Sequence, residues 1–330
     1  MPDTLNAAIV GCGSIASVHA ALIGSMDGVR LAACADIAED MAVRLADKYD
    51  AAAYRSLDDM LAHEAIDVLH ICTPHALHVP MAEEAVARGI KVFTEKPPVI
   101  SREQWARFSD LNSSVGVCFQ NRYNKNIRYV KQLLDTGAVG RVTGVRAAVA
   151  WYRDASYYQN SGWRGTWALE GGGVLINQAI HTLDLLVMLL GPHTGVDTYM
   201  ANRQLQGVIE VEDTVDARIA FGDAVGLFTA TNAYSTSAPV QIRIDCEQAA
   251  LTVEDNRLAI FWRSGRVERI AFEQPDALGK DYWGSGHAAC IADYYRAMKQ
   301  GEPAPIGIRG VEATVMLMLD MYDQGRRWLK

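Results

Sequence analysis

Short apolar runs of strand length alternate with helical periodicity over the first third of the chain. Ala7–Val10, Arg30–Ala35, Asp67–Cys72, Lys91–Thr94 and Val115–Phe119 read as strands. Ser14–Ser25, Glu39–Tyr49, Leu57–His63, His78–Arg88 and Arg102–Asn112 read as helices. That alternation predicts a doubly wound parallel sheet covered by helices. After Gln120-Asn121-Arg122-Tyr123 the pattern changes. Helical Ile127–Thr136 leads into Arg141–Trp151, Val211–Phe221, Val225–Ala233, Val240–Cys246, Ala249–Val253 and Leu258–Trp262, which read as strands. Within Val211–Phe221, apolar Val215, Ala217, Ile219 and Phe221 alternate with Glu212, Thr214, Asp216 and Arg218. Such alternation marks an antiparallel strand with one covered face. Two late helices, Gly286–Lys299 and Gly310–Arg326, complete the pattern. The expectation is an α/β chain of two domains. Residues 1–122 form the parallel domain; residues 123–330 form an α+β domain with a large, open, mostly antiparallel sheet.

The bulk numbers agree with that division. A chain of 330 residues exceeds one ordinary core, and 50% hydrophobic with 21% charged residues is a soluble globular composition. The net charge of -8 argues against nucleic acid as a partner while leaving a small anionic ligand open. Cys12, Cys34, Cys72, Cys118, Cys246 and Cys290 contain no CxxC pair and read as small buried hydrophobes in a reducing compartment. No metal is called for. The N-terminal stretch lacks the basic and apolar regions of a secretory signal. The best apolar run, Leu183 to Leu190, is interrupted by Asp184, so no membrane span is expected. The protein is expected in the cytoplasm.

Gly11-Cys12-Gly13-Ser14-Ile15-Ala16 follows the first strand and opens the first helix. The G-x-G-x-x-A spacing lets the chain turn tightly, a pyrophosphate approach the backbone, and the helix pack on the strand. The helix N-terminus adds its amides and positive dipole end. Asp36 ends the second strand, where a carboxylate accepts from the adenosine ribose hydroxyls and repels a 2′-phosphate. NAD is therefore preferred to NADP. An N-cap for the helix near Ala38 is the alternative role for Asp36.

Thr73-Pro74-His75 closes the third strand and Glu95-Lys96-Pro97 the fourth. Ligands of open parallel sheets bind outside the carboxyl ends of the strands, so Gly11, Asp36, Thr73 and Lys96 project toward one edge. A lysine there presents its ammonium to a ligand, and Pro97 fixes the backbone beside it. His75 and His78 start a helix and receive no catalytic role. In the second domain, Gly171-Gly172-Gly173 precedes a helix bearing Asn177 and His181, four apart and so on one face. A satisfied buried histidine is the alternative reading of His181.

G-x-G-x-x-A, Glu-Lys-Pro, Gln-Asn-Arg-Tyr at the junction and Gly-Gly-Gly…His-x-x-Asp together resemble the glucose–fructose oxidoreductase/inositol dehydrogenase (Gfo/Idh/MocA) family. The resemblance covers essentially the whole chain. It implies an N-terminal Rossmann domain with NAD(P), a C-terminal sheet that mediates homodimers or homotetramers, an active-site lysine at Lys96 and a general acid/base at His181. The Lys96–Pro97 bond is frequently cis in this family. Two positions depart from it: Asn177 stands where many members carry aspartate, and Pro98 stands where leucine is more usual. An amide orients a hydroxyl but holds no charge against an imidazolium.

The implied activity is NAD-dependent oxidation or reduction of a secondary alcohol on a sugar, cyclic polyol or sugar derivative. His181 takes the hydroxyl proton, Lys96 stabilises the developing alkoxide, and Asn177 holds a neighbouring hydroxyl. Expected cofactor contacts are Gly11, Gly13, Ser14, Ile15, Ala16, Asp36, Thr73, Pro74, His78, Glu95, Lys96 and Gln120. Expected substrate contacts are Arg122, Tyr152, Trp163, Arg164, Asn177 and His181, with aromatic faces for sugar C–H groups and arginines for an acid. Two alternatives stand beside this: a glycosidase of the same fold using bound NAD transiently, and a non-catalytic dinucleotide-binding sensor.

Overall fold

The computed structural model describes residues 4–111, 115–273 and 286–329. Two compact units emerge from the contacts: Met1–Gln120 with Asp276–Val311, and Asn121–Pro275 with Glu312–Lys330. No described helix is long and apolar enough to cross a membrane.

The first unit alternates as the apolar runs dictate: β1 (Leu5–Val10), α1 (Ser14–Gly24), β2 (Val29–Ala35), α2 (Glu39–Ala46), β3 (Ala52–Tyr54), α3 (Leu57–His63), β4 (Val68–Ile71), α4 (His78–Ala87), β5 (Lys91–Thr94), α5 (Arg102–Ser109) and β6 (Val115–Val117). The strands form a parallel six-stranded sheet in the order β3-β2-β1-β4-β5-β6, the doubly wound arrangement whose ligand crevice lies where the order reverses. That point falls between β1 and β4. All four residues of β4 are buried, as expected of a central parallel strand, although one of them is His70. The short edge strand β3 was not anticipated: three residues give too little alternation to read.

In the second unit, α6 (Lys125–Asp135), β7 (Val142–Ala150) and α7 (Ala155–Gln159) lead to a π-helical turn, Leu175–Ala179, continuous with α8 (Ile180–Leu190). Then come β8 (Gly195–Ala201), β9 (Thr214–Phe221), β10 (Ala224–Thr231), β11 (Gln241–Cys246), β12 (Ala249–Glu254), β13 (Arg257–Trp262) and β14 (Val267–Ala271). They pair as an eight-stranded sheet, β14-β13-β12-β11-β7-β10-β9-β8. Every described pair is antiparallel except β7 with β10. Inward Val215, Ala217, Ile219 and Phe221 of β9 are buried and Asp216 and Arg218 are exposed, so one face is covered as the alternation requires.

The late helices divide differently from the sequence expectation. α9 (Gly286–Lys299) belongs to the first unit, not the second, and α10 (Ile308–Gly325) is shared along its length. The cause is tyrosine chemistry: Tyr294 and Tyr295 are buried, and the Tyr294 hydroxyl donates to the Val92 carbonyl of β5 at 2.9 Å. A buried phenol needs such a partner. Asn112, the expected end of α5, lies outside the described residues.

Candidate active site

The glycine turn is built by close approach. Gly11 has φ +86°, and a Cβ there would stand 2.7 Å from the Cys72 carbonyl carbon and oxygen, so only glycine lets the ends of β1 and β4 pass. Gly13, the N-cap of α1, is different: a Cβ would meet no protein atom within 4 Å. The chain's own packing does not demand glycine there, and the space beside the α1 N-terminus is clear of protein atoms. Ser14, Ile15 and Ala16 form the first turn, with Ala16 fully buried. Asp36 accepts from the Cys12 amide at 2.7 Å and from the Ala38 amide at 2.8 Å. One carboxylate thereby pins both the glycine turn and the start of the next segment, and each oxygen retains acceptor capacity. This cradle fits a dinucleotide, with Gly13 and α1 for the pyrophosphate and Asp36 for the ribose.

Farther along the same edge the Lys96–Pro97 peptide is cis. His78 is fully buried, with Nδ1 2.7 Å from the Pro97 carbonyl and Nε2 2.9 Å from the Thr73 carbonyl. Its ring ties the loops after β4 and β5 together; with both nitrogens on main chain, His78 orders cofactor-edge loops rather than reaching a cofactor. Thr73 and Pro74 lie in the loop it holds, and Gln120 is buried beside the Cys118 thiol.

Glu95, expected among the cofactor contacts, is turned the other way. Its side chain faces the buried interior of the first unit, where Oε1 lies 3.0 Å from His19 Nε2. His19 Nδ1 is 2.8 Å from His70 Nδ1, and His70 Nε2 is 2.9 Å from the Tyr295 hydroxyl. With His19 neutral, the chain runs Tyr295 to His70 to His19 to Glu95, each donating to the next. With His19 protonated, His19 donates to both neighbours. Glu95 accepts in either case. Burial pushes the Glu95 carboxyl up, but the His19 hydrogen bond and the positive charges of His19, His287 and Lys96 outweigh it and hold the group well below the ordinary range. Burial lowers His70, as does the His19 charge. His19, Glu95 and Cys118 place one ligand atom each within 4.8 Å of one another, a proximity no sequence spacing shows. Both ring nitrogens of His19 are already spoken for, so the cluster works as a hydrogen-bond chain.

In the second unit the glycine triplet answers the protein itself. A Cβ on Gly172 would fall 1.9 Å from the Tyr322 hydroxyl, and one on Gly173 would fall 1.9 Å from the Glu212 carbonyl oxygen. Fully buried Glu212 organises the helix start: its Oε1 accepts from the Gly173 amide at 2.9 Å, the Leu175 amide at 3.1 Å and the Tyr322 hydroxyl at 2.8 Å. Burial pushes Glu212 up to about 7 despite these donors. Asn177 sits in the π turn, His181 in the first turn of α8, and both are partly buried. π turns inserted in helices occur frequently at functional sites.

Asn177 is oriented by a residue the sequence reading did not single out. Its Nδ2 donates to Glu170 Oε1 at 2.6 Å, and the Gly165 amide donates to Glu170 Oε2. Glu170 is 1% exposed, and burial pushes it up to about 7 against the pull of the Gly165 and Asn177 hydrogen bonds and the Arg164 charge. The amide flip of Asn177 is thereby fixed with Nδ2 toward Glu170, and Oδ1 is the face it offers elsewhere.

Arg122, expected to contact substrate, instead forks onto Asp184 through Nε at 2.7 Å and through Nη2. Asp184 is 1% exposed and also accepts from the Thr314 hydroxyl at 2.8 Å. A buried bidentate pair of this kind is a structural tie, and it accounts for the Asp of His-x-x-Asp. Tyr152 is half exposed, its amide donating to Ser237 Oγ at 3.2 Å. Trp163 and Arg164 are partly buried and stacked on each other.

Comparison with known proteins bears on both units. Residues 5–123 match the oxidoreductase family with NAD-binding Rossmann fold, and residues 127–252 match the GFO/IDH/MocA C-terminal domain. D-glucoside 3-dehydrogenase of Escherichia coli (strain K12) is 30% identical over 57% of this chain and 54% of its own length. Inositol 2-dehydrogenase of Rhizobium meliloti (strain 1021) is 28% identical over 57% of this chain and 56% of its own. The matched stretch thus spans about half the length of these two relatives. The WlbA dehydrogenase from Bordetella pertussis, solved in complex with NADH and UDP-GlcNAcA, superposes with a TM-score of 0.84 at 27% identity, covering 98% of this chain and 97% of that one.

Proposed function

The chain belongs to the GFO/IDH/MocA family, and on that premise we propose that it is an NAD-dependent dehydrogenase or reductase acting on a secondary alcohol of a sugar, cyclic polyol or sugar derivative. One observation carries the reading: at the edge of the parallel sheet where Gly11, Gly13 and Asp36 form a dinucleotide cradle, Lys96 stands two residues beyond the end of β5. Similarity to a glucoside dehydrogenase, an inositol dehydrogenase and an NADH-bound dehydrogenase supports both cofactor and substrate class.

NAD, when bound, supplies the hydride acceptor; the rest is the chain's own work. The α1 N-terminus and the Gly13 amide neighbourhood take the pyrophosphate. Asp36 takes the ribose hydroxyls and disfavours a 2′-phosphate. Lys96 donates to the reacting oxygen and stabilises negative charge as it develops there. His181 accepts the hydroxyl proton at a ring nitrogen. Asn177, locked by Glu170, offers Oδ1 to a neighbouring substrate hydroxyl.

The same reading extends to assembly and compartment. A homodimer or homotetramer through the eight-stranded sheet is supported by its outward Tyr199, Val225, Leu227 and Phe261, all exposed. Six unpaired cysteines favour the cytoplasm. Light scattering on the purified protein tests the first; a monomer at working concentration would end it.

The deciding experiment is NADH formation across polyols, aldoses, sugar acids and UDP-sugars, with binding of NAD and NADP followed by tryptophan fluorescence. Net NADH from at least one sugar, and tighter NAD than NADP binding, is expected. Release of free sugar from a chromogenic glycoside without net NADH would turn the reading to the glycosidase. Binding of NAD with no turnover of any substrate would turn it to the sensor.

A further inference from the structure

Lys96 is gripped through the main chain from two sides. Its amide donates to Glu95 Oε2 at 3.3 Å, and the carbonyl of the next residue, Pro97, lies 2.7 Å from His78 Nδ1. Glu95 is the grip that carries charge. Its side chain is 9% exposed, and its other oxygen, Oε1, is held by His19 Nε2 at 3.0 Å. A carboxylate taken so far out of water is costly unless the chain answers its charge.

The brace behind Glu95 reaches deep into the first unit. His19 of α1 meets His70 of β4, and His70 meets Tyr295 of α9. Both histidines are fully buried and Tyr295 is nearly so. Three elements far apart in sequence thus converge behind one carboxylate. Packing alone does not ask for this, since apolar side chains in place of a buried ionic cluster are often neutral or stabilising. What the cluster faces is the main chain of Lys96.

Other titratable groups share the field of this pair: His70, His78, His287 and the thiols of Cys72 and Cys118. Burial is the largest influence on all five and favours the neutral form of each, lowering the imidazoles and raising the thiols. Near neutral pH none of the five carries a charge that competes with Lys96 for the carboxylate. The Lys96 charge, in turn, helps to hold Glu95 ionised. Coupling of this kind is reciprocal, so the Glu95 anion stabilises the Lys96 cation to the same degree.

We propose that Glu95, braced by His19, His70 and Tyr295, is the positioning residue of Lys96: its carboxylate fixes the lysine main chain and supplies the counter-charge for the ammonium that meets the reacting oxygen. The inference rests on the dehydrogenase reading for the reacting oxygen, and on the first unit alone for the Glu95–Lys96 couple. Glu95 acts through Lys96 and touches no reacting atom.

The couple is read without turnover. Lys96 is partly exposed, and only an unprotonated amine is acylated. The purified protein is therefore treated with the N-hydroxysuccinimide ester of acetic acid over a range of pH. Peptide mass spectrometry follows Lys96, with the other lysines as internal reference. Glu95→Gln keeps an acceptor for His19 and loses the charge. It should move the midpoint of the Lys96 rate curve to lower pH, making acylation at a fixed mildly alkaline pH roughly five-fold faster or more. His19→Leu leaves the carboxyl but takes away its donor, so burial pushes Glu95 up and the same shift should follow. Glu95→Asp retains the charge and should lie closer to wild type. NAD affinity and melting temperature gauge folding in each. With a sugar that yields NADH, Glu95→Gln should lower kcat roughly ten-fold with NAD affinity little changed, the scale of a misplaced catalytic group.

An unchanged midpoint in both Glu95→Gln and His19→Leu would overturn the proposal. So would a faster plateau with the midpoint unmoved, which marks a loosened loop and no counter-charge. A shifted midpoint in a protein that forms NADH from no sugar would leave the couple standing and fault the dehydrogenase reading instead.

Discussion

Glu95 in the first unit and Glu170 and Glu212 in the second are carboxyls of one chemical kind, each nine-tenths or more removed from solvent, and their surroundings push them in opposite directions. Burial raises all three. Around Glu212 the donors are two backbone amides and a phenol, all neutral, and the group ends near 7. Glu170 receives an amide N–H from Gly165 and another from Asn177, with Arg164 at longer range, and also ends near 7. Glu95 has His19, His287 and Lys96 about it and is held well below the ordinary range. His287 is itself pushed down to about 4 by burial, so its charge is absent at neutral pH. Neutral donors soften the cost of a buried carboxylate; only cationic or polarised partners reverse it. The first unit therefore keeps a permanent anion behind Lys96, whereas the second keeps two acids poised at working pH.

The largest test breaks the charged side. Lys96→Ala and His181→Ala should each lower kcat by roughly a thousand-fold, the usual scale for losing an electrostatic stabiliser or a positioned base, while NAD affinity moves little. Steady-state kinetics beside NAD titration decide it; near-normal turnover in either variant removes that residue from the mechanism.

The next test concerns stability in the poised half. Glu212→Leu leaves the Gly173 and Leu175 amides and the Tyr322 hydroxyl without their acceptor, a loss of roughly 3–5 kcal/mol for buried donors. Glu212→Gln keeps an acceptor and drops the charge, so its effect should change sign with pH. A carboxyl raised in the folded state contributes fully below its ordinary value near 4.5 and loses that contribution as pH rises through about 7. The variant should be less stable than wild type at pH near 5 and equal or more stable near 8. Denaturant melts at the two pH values measure this, and a pH-independent difference would mean Glu212 does not titrate in that window.

Glu95, His70 and His287 work the other way, since groups lowered in the folded state lose their contribution as pH falls. Acid should accordingly open the first unit before the second. Hydrogen exchange would show β4 and β5 losing protection below pH about 5, with Gly171–Leu175 losing it above about 7. Protection that falls uniformly across both units would dissolve the contrast.

How much of this was legible in the sequence follows from distance along the chain. The glycine turn, Asp36 and Lys96 stand at strand ends, and local pattern plus sheet geometry was enough to place them. Glu95 lies beyond the end of β5, so strand alternation does not set the side it faces, and its partner His19 is 76 residues away. His70, Tyr295 and the partners of Arg122 are joined across long separations by hydrogen bonds that no local spacing encodes. Which sheet receives α9 depends on a carbonyl of β5, far from the helix in sequence. The π turn is likewise invisible, because the contacts at its start, Glu212 on the Gly173 and Leu175 amides and Tyr322 packed on Gly172, come from far along the chain.

The smallest effect is the most discriminating about Asn177. If Glu170 orients that amide, its ionised form should do so better, since bonds to a carboxylate are stronger than bonds to a neutral acid. Catalysis should then improve as Glu170 sheds its proton near 7. Log kcat/KM against pH should carry an inflection there. Glu170→Gln removes that titration and trades the Gly165 hydrogen bond for an amide facing an amide, so kcat/KM should fall only about five-fold at its plateau, roughly 1 kcal/mol. The inflection near 7 should vanish with it. A wild-type profile without an inflection near 7, or one unchanged by Glu170→Gln, would leave Glu170 as a packing residue and Asn177 oriented by something else.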